Sequence, residues 1–135
     1  MCLIVFAVDQ FPKTPLILVA NRDEFYERPT EPLQRWKEAD CFAGRDLQAG
    51  GTWMGVRTDG GWAAVTNFRG PNKSEFATPA NPLTRGNLVK DYLSSKSGAQ
   101  EYLMTVEKAL QRYRGFNLLV GDRDGTFWIL SLIHI

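Results

Sequence analysis

The chain has 135 residues, enough for at most one ordinary domain, and its 44% apolar and 12% aromatic content supports a packed core rather than disorder. Sixteen basic and fifteen acidic residues are interspersed to a net charge of +1, without the basic stripe of an electrostatic nucleic-acid binder. No apolar stretch nears the roughly 18 residues of a membrane span, and no basic segment precedes the N-terminal apolar run, so neither a span nor a secretory signal is expected.

Two cysteines do not make a disulfide framework, so a reducing, cytoplasmic setting is the default and a lone Cys2–Cys41 bridge the rarer alternative; one histidine and two separated cysteines give no metal-ligand spacing. The chain opens with "CLIVFAV" (residues 2–8), a β-forming run apolar on both faces that predicts a strand covered on both sides. "DQFPKTP" is a proline-punctuated loop, and "LILVAN" (16–21) is a second buried strand, so the two read as a hairpin with a long connection. "RDEFYERPTEP" is polar and closed by proline, and reads as surface loop.

In "GGTWMGVRTDGGWAAVTNF" two β-rich runs flank "DG", the favoured two-residue hairpin turn. With Asp59 and Gly60 as the turn, Met54 faces Val65, Val56 faces Ala63 and Thr52 faces Asn67. Asn67 then ends an apolar face, where a buried amide needs partners. "RGPNKSEFATPANP" is a turn-rich loop. A helix is predicted from about 84 to 94, with Leu88, Val89, Tyr92 and Leu93 on one stripe. A second starts at Ser97, with Gln100 completing a capping box and Ala99, Leu103, Val106, Leu110 and Tyr113 at 4-3-4-3 spacing. Gly115 stops it, and "FNLLVG" and "TFWILSL" are strands joined through "DRDG". Strands before the helices could form one sheet and strands after them the start of another, giving two sheets with helices outside, with a plain α+β sandwich as the alternative. The chain ends inside an apolar strand, which reads as the N-terminal part of one domain whose remainder is missing. His134 lies in that tail and is given no functional weight.

Cys2 admits two readings. It is a small hydrophobe filling the first buried strand position. Alternatively, removal of Met1 leaves a thiol and an α-amine on one residue, and the amine, with a reference pKa of about 7.7–8.0, can accept the thiol proton. Antiparallel pairing of the first two strands would bring "NRDE", Asn21 to Glu24, back beside Cys2. Arg22 could then hold a thiolate's charge and Asp23 accept a hydrogen bond from an N-terminal ammonium. "AGRD" (43–46) and "TRG" (84–86) each pair arginine with glycine in loops, and each alone is weak. "AGGTW" lets backbone approach something closely but lacks the Gly-Lys-Ser/Thr of a phosphate loop. Asn117 is as well explained by structure as by function, and the four tryptophans are read as core. No cofactor is called for.

Taken in order, "MCLIVFA", "ANRDEFYERPT", "AGRDLQAGGTWMGV", "GGWAAVTNFR", "TRGNLV" and "GFNLLVGD" resemble the NRDE family, also called the transport and Golgi organisation family, from residue 1 to about 130. Members are about twice this length. The family in turn is similar to N-terminal-nucleophile hydrolases, whose fold is an αββα sandwich, and most to the cysteine acylases of bile-salt and penicillin amides. The resemblance implies Cys2 as nucleophile, Asn67 of "TNFR" as oxyanion donor and Asp23 as the aspartate. Arg22 matches less well, because the acylases separate the arginine and aspartate by two residues. Two functions follow from the resemblance: hydrolysis of a small-molecule amide or ester by Cys2, or non-catalytic handling of haem, lipid or acyl-coenzyme A linked to secretory organisation. Without a His or Cys pair for iron, haem would be held through Arg–propionate pairing.

Overall fold

A computed structural model of the chain describes residues 2–68 and 79–131. Among them the elements run β1 (Leu3–Phe11), β2 (Thr14–Asn21), β3 (Thr30–Trp36), β4 (Cys41–Asp46), β5 (Met54–Arg57), β6 (Trp62–Asn67), α1 (Gly86–Ser94), α2 (Ala99–Glu107), β7 (Phe116–Gly121) and β8 (Phe127–Ser131). The mixture of strands and helices is of the expected α+β kind. Residues 69–78 of the turn-rich loop, and the tail with His134, lie outside the described residues.

β1 and β2 form an antiparallel hairpin whose register runs from Leu3 opposite Asn21 to Val8 opposite Leu16. The connection is shorter than expected. Phe11 pairs with Thr14 across Pro12 and Lys13, with Lys13 at φ +65° and Asp9 at φ +51° where the register slips. Nor is the hairpin covered on both sides. One row, with Phe6 against Phe127 at 5.5 Å between ring centroids, faces the main sheet. The opposite row stands open, with Leu3, Val5 and Val19 exposed to 61%, 57% and 62%.

The six remaining strands make a single antiparallel sheet in the order β3-β4-β5-β6-β7-β8. The strands that follow the helices therefore join the sheet that precedes them: β7 pairs with β6 from Trp62–Gly121 to Asn67–Phe116. Two of the six fall where loop was expected. β3 contains Pro32, and the residue without an N–H sits on an edge strand, where the register breaks between Glu31 and Gln34. β4 contains "AGRD", and Gly44 there lets the Trp53 ring lie against the strand.

The β5–β6 register also differs from the expected one. Gly60 takes φ +99° and Arg57 N–H donates to the Gly61 carbonyl, so the loop is Thr58–Asp59–Gly60, three residues rather than two. Asp59 stabilises it by accepting from Gly61 N–H and Arg57 Nε, each at 3.0 Å. Met54 accordingly opposes Ala64 and Val56 opposes Trp62. A slip of one residue exchanges faces. Ala63 and Val65 meet the helices, whereas Met54 and Val56 turn with Trp62 toward the β1–β2 hairpin.

α1 begins at Gly86 and buries the expected Leu88, Val89, Tyr92 and Leu93. α2 begins later than the capping box implied. Gly98 is the N-cap, and the Ala99 N–H is taken by the Asp122 carboxylate at 2.8 and 3.0 Å from the β7–β8 turn. The helix ends at Glu107, and a 3-10 turn at Leu110–Arg112 carries the chain to buried Tyr113. Together α1 and α2 pack on Ala43, Ala63, Phe116, Leu118 and Val120 to form the core. Helices lie on one face of the sheet and the β1–β2 hairpin on the other. Asn117 is structural: its amide donates to Thr66 Oγ1 at 3.1 Å and accepts from Ser131 Oγ at 2.7 Å, a polar row across β6, β7 and β8.

Candidate functional site

At the end of the β1–β2 hairpin, where "NRDE" emerges, a cavity of about 110 Å³ opens toward the main sheet. Cys2, Arg22 and Asn67 all line it. The hairpin register explains the first two: Leu3 opposite Asn21 brings the residues on either side, Cys2 and Arg22, to the same strand end. The Leu3 N–H donates to Asn21 Oδ1 at 2.7 Å, and the Asp23 N–H points at the Cys2 sulfur at 3.4 Å. Of the sequence-identified residues, Asp23 thus meets Cys2 through its main chain. Asn67 arrives from the main sheet, at the end of β6, and despite the altered hairpin register both it and Thr52 reach the cavity wall.

The polar lining extends well beyond those residues. Asp46, at the end of β4, is only 8% exposed. Its Oδ1 accepts from the Gln48 and Ala49 N–H groups at 3.0 and 3.2 Å, while its Oδ2 accepts Nε and Nη2 of Arg28 at 2.9 and 2.7 Å. Burial pushes the Asp46 carboxyl up, but the Arg28 guanidinium and the two amides outweigh it and hold the carboxyl below its ordinary value. Arg28 is raised by the same hydrogen bond, against the opposing effect of burial.

Arg22 joins this group, with Nη2 3.6 Å from Asp46 Oδ2 and 3.7 Å from Glu24 Oε2, and its guanidinium 4.6 Å from the Trp53 ring centre. Charge-charge contact and cation–π stacking thus hold one cation from two sides. Trp53 serves the site, whereas Trp36 is core as expected, donating Nε1–H to the Ala43 carbonyl.

The floor is backbone. The Thr52 N–H donates to the Gly86 carbonyl at 3.2 Å, so "AGGTW" rests on the first residue of α1. The close approach is to protein, since a Cβ on Gly51 would come within 2.6 Å of the Gly86 carbonyl carbon. Arg85, on the same rim, donates Nη1–H to the Gly115 carbonyl at 3.1 Å. "AGRD", "AGGTW" and "TRG", weak as separate motifs, are three walls of one cavity. Arg28 carried no signal of its own; only recognition of β3 and β4 as strands could have set it opposite Asp46.

Cys2 and Cys41 are both free thiols. Cys41 is buried, and burial pushes its thiol above the ordinary value. Among the described residues, no group of three or more His, Cys, Asp or Glu is arranged for a metal ion. No helix among them is long and apolar enough to cross a membrane.

Residues 1–133 match the Transport and Golgi organisation 2 family. The chain belongs to that family. It is 37% identical over 130 residues to the mouse Transport and Golgi organization 2 homolog, and 37% identical over the same length to the human homolog. The Drosophila melanogaster Transport and Golgi organization protein 2 is 33% identical over 132 residues. These alignments take in 88–90% of the chain but 45% of each relative, so the chain spans about half the length of the curated relatives it matches.

Proposed function

We propose that this chain carries the nucleophile half of an N-terminal-nucleophile hydrolase of αββα type, cleaving a carbon–nitrogen or ester bond in a small non-peptide substrate. The supporting observation is the single cavity lined by Cys2, Arg22 and Asn67, with the Asp23 N–H on the Cys2 sulfur. On removal of Met1, the α-amine of Cys2 accepts the thiol proton as the sulfur bonds to the substrate carbonyl carbon. The Asn67 amide donates to the oxyanion, a contribution whose loss costs ~3–4 kcal/mol of transition-state stabilisation. Collapse breaks the carbon–nitrogen bond, and the ammonium returns its proton to the leaving amine. Water then hydrolyses the thioester, releasing the acid and restoring the thiol. The Asp23 carboxylate orients the amine, and Arg22 balances the charge that develops beside the sulfur.

The protein is treated with an electrophilic lactam or activated ester and mapped by mass spectrometry, with buried Cys41 as internal control. An adduct on Cys2 in chains lacking Met1 is expected. Unmodified Cys2 with Met1 still attached would sink the reading.

A second reading, carriage of a lipid, acyl-coenzyme A or haem in a role tied to secretory organisation, is favoured by a different feature. An apolar groove of about 510 Å³ runs between the hairpin and the main sheet, lined by Leu16, Leu18, Met54, Val56, Trp62 and Phe127. Titration of haem and of acyl-coenzyme A against the protein and Cys2→Ala separates the two. Tight binding that ignores the substitution supports carriage; no binding of either counts against it.

A further inference from the structure

We infer that Asp46 is a positioning residue for this chemistry, fixing the Arg22 guanidinium in the wall of the cavity that Cys2 also lines through a clamp completed by Arg28; the inference rests on the hydrolase reading above. Arg22 stands at a strand end followed by an irregular loop, where a long side chain has many rotamers to lose. Three contacts restrict it: Asp46 on one side, Glu24 nearby and the Trp53 ring beneath. Of these, Asp46 is the fixed point. Its Oδ1 is tied to two backbone amides of its own loop, its backbone N–H donates to the Gly51 carbonyl at 2.9 Å, and its carbonyl accepts from Gly50 N–H at 2.8 Å. The second oxygen is therefore presented at a set place. Arg28 spends two donors on that oxygen and balances its charge, leaving the carboxylate ionised when Arg22 approaches. Asp46 touches Arg22 but is not assigned to the reacting atoms, so its effect on the reaction passes through Arg22.

The test is a double-mutant cycle on acylation of Cys2 by p-nitrophenyl acetate, read as the nitrophenolate burst and resolved into its limiting rate and half-saturating ester concentration. Asp46→Asn keeps an acceptor for the Gln48 and Ala49 amides, so the loop is retained. It should lower the limiting rate by about tenfold to a hundredfold, within the range of coupling energies between residues of one charge network, with little change in half-saturation. In an Arg22→Gln background the same change should cost less than about threefold, because the group it positions is gone. A merely structural role would slow both backgrounds alike, and that result would overturn the inference, as would an unchanged rate in Asp46→Asn. If Asp46→Asn does not fold, Arg28→Lys, which halves the donors on Oδ2, is run through the same cycle with the same expectations. Absence of any Cys2-dependent burst in the unsubstituted protein is a different result: it removes the hydrolase reading and this inference with it.

Discussion

Gly51→Ala tests the close packing that builds the cavity floor. The added methyl would lie 2.6 Å from the Gly86 carbonyl carbon and 2.8 Å from its oxygen. Both are backbone atoms at the start of α1, so no side chain can rotate away. Relief requires the loop and the helix to separate, at the expense of the Thr52–Gly86 hydrogen bond of 3.2 Å. Overpacking of this kind costs about 1–3 kcal/mol. For a chain of 135 residues the entropy of unfolding is about 0.28 kcal/mol/K, so a loss of about 2 kcal/mol lowers Tm by about 7 °C. Gly98→Ala is the matched control. Its new methyl would meet only Asp122 Oδ2 at 3.5 Å, in a backbone conformation any residue adopts, φ −68°. A weaker N-cap and a less flexible unfolded chain offset each other there, so its Tm should stay within about 2 °C. Thermal unfolding followed by circular dichroism compares the two. If both melt alike, Gly51 does not owe its place to the contact with Gly86.

Further expectations follow from the buried polar groups. Asp46 has its carboxyl held below the ordinary value, so the stability it contributes is complete above about pH 3.9 and is lost as pH falls through its lower native value; Tm of the unsubstituted protein should drop more steeply below about pH 4 than that of Asp46→Asn, and parallel acid limbs would contradict the clamp. Burial, foremost, pushes the phenols of Tyr92 and Tyr102 well above the tyrosine range, so their stabilisation is intact below about pH 10 and lost as pH rises through the higher native values. Their absorbance at alkaline pH should appear only as the chain unfolds, with Tyr92→Phe assigning one of the two signals. Asp122→Ala removes the cap of α2 and one of two acceptors of the Tyr92 hydroxyl, leaving the Gly121 carbonyl at 2.9 Å, and should cost about 1–2 kcal/mol in urea unfolding with an unchanged m-value; a loss under about 0.5 kcal/mol would refute the capping role.

Periodicity made the local elements legible wherever packing is one-sided. α1 buries the four residues its stripe implied, and α2 buries Ala99, Leu103 and Val106 as spaced. The errors lie where a distant partner overrides a local signal. Ser97 and Gln100 resemble a capping box, but a carboxylate from the β7–β8 turn, 23 residues on, supplies the acceptor instead. "TDGG" offered a two-residue turn, yet the sheet takes the three-residue form in which Gly60 alone has positive φ and Asp59 keeps an ordinary backbone. β3 was hidden by Pro32, which forbids a central strand but suits an edge. Sheet membership was the least legible of all. The pairing of β6 with β7 spans the helices and depends on which strand edge they leave open, a property no segment carries in its own composition.

The candidate site was legible in proportion to its backbone content. Cys2 and "NRDE" could be brought together because antiparallel pairing is a rule of geometry, and one register fixes every neighbour along the strand. Asn67 was singled out from a register that is off by one, and it lines the cavity because the cavity lies at the end of β6, which either register reaches. The clamp behind Arg22 followed no such rule. Arg28 and Asp46 lie 18 residues apart on segments that both read as loop, and charges in loops are usually solvated. Burial changes their meaning: a carboxylate this enclosed is stable only with its partners in place. A largely enclosed Arg–Asp pair in the wall of the cavity that Cys2 also lines is therefore evidence of a different kind from the "NRDE" motif. The motif names residue types at a spacing, whereas the pair sets mutually compensated charge in the wall of the cavity that Cys2 also lines.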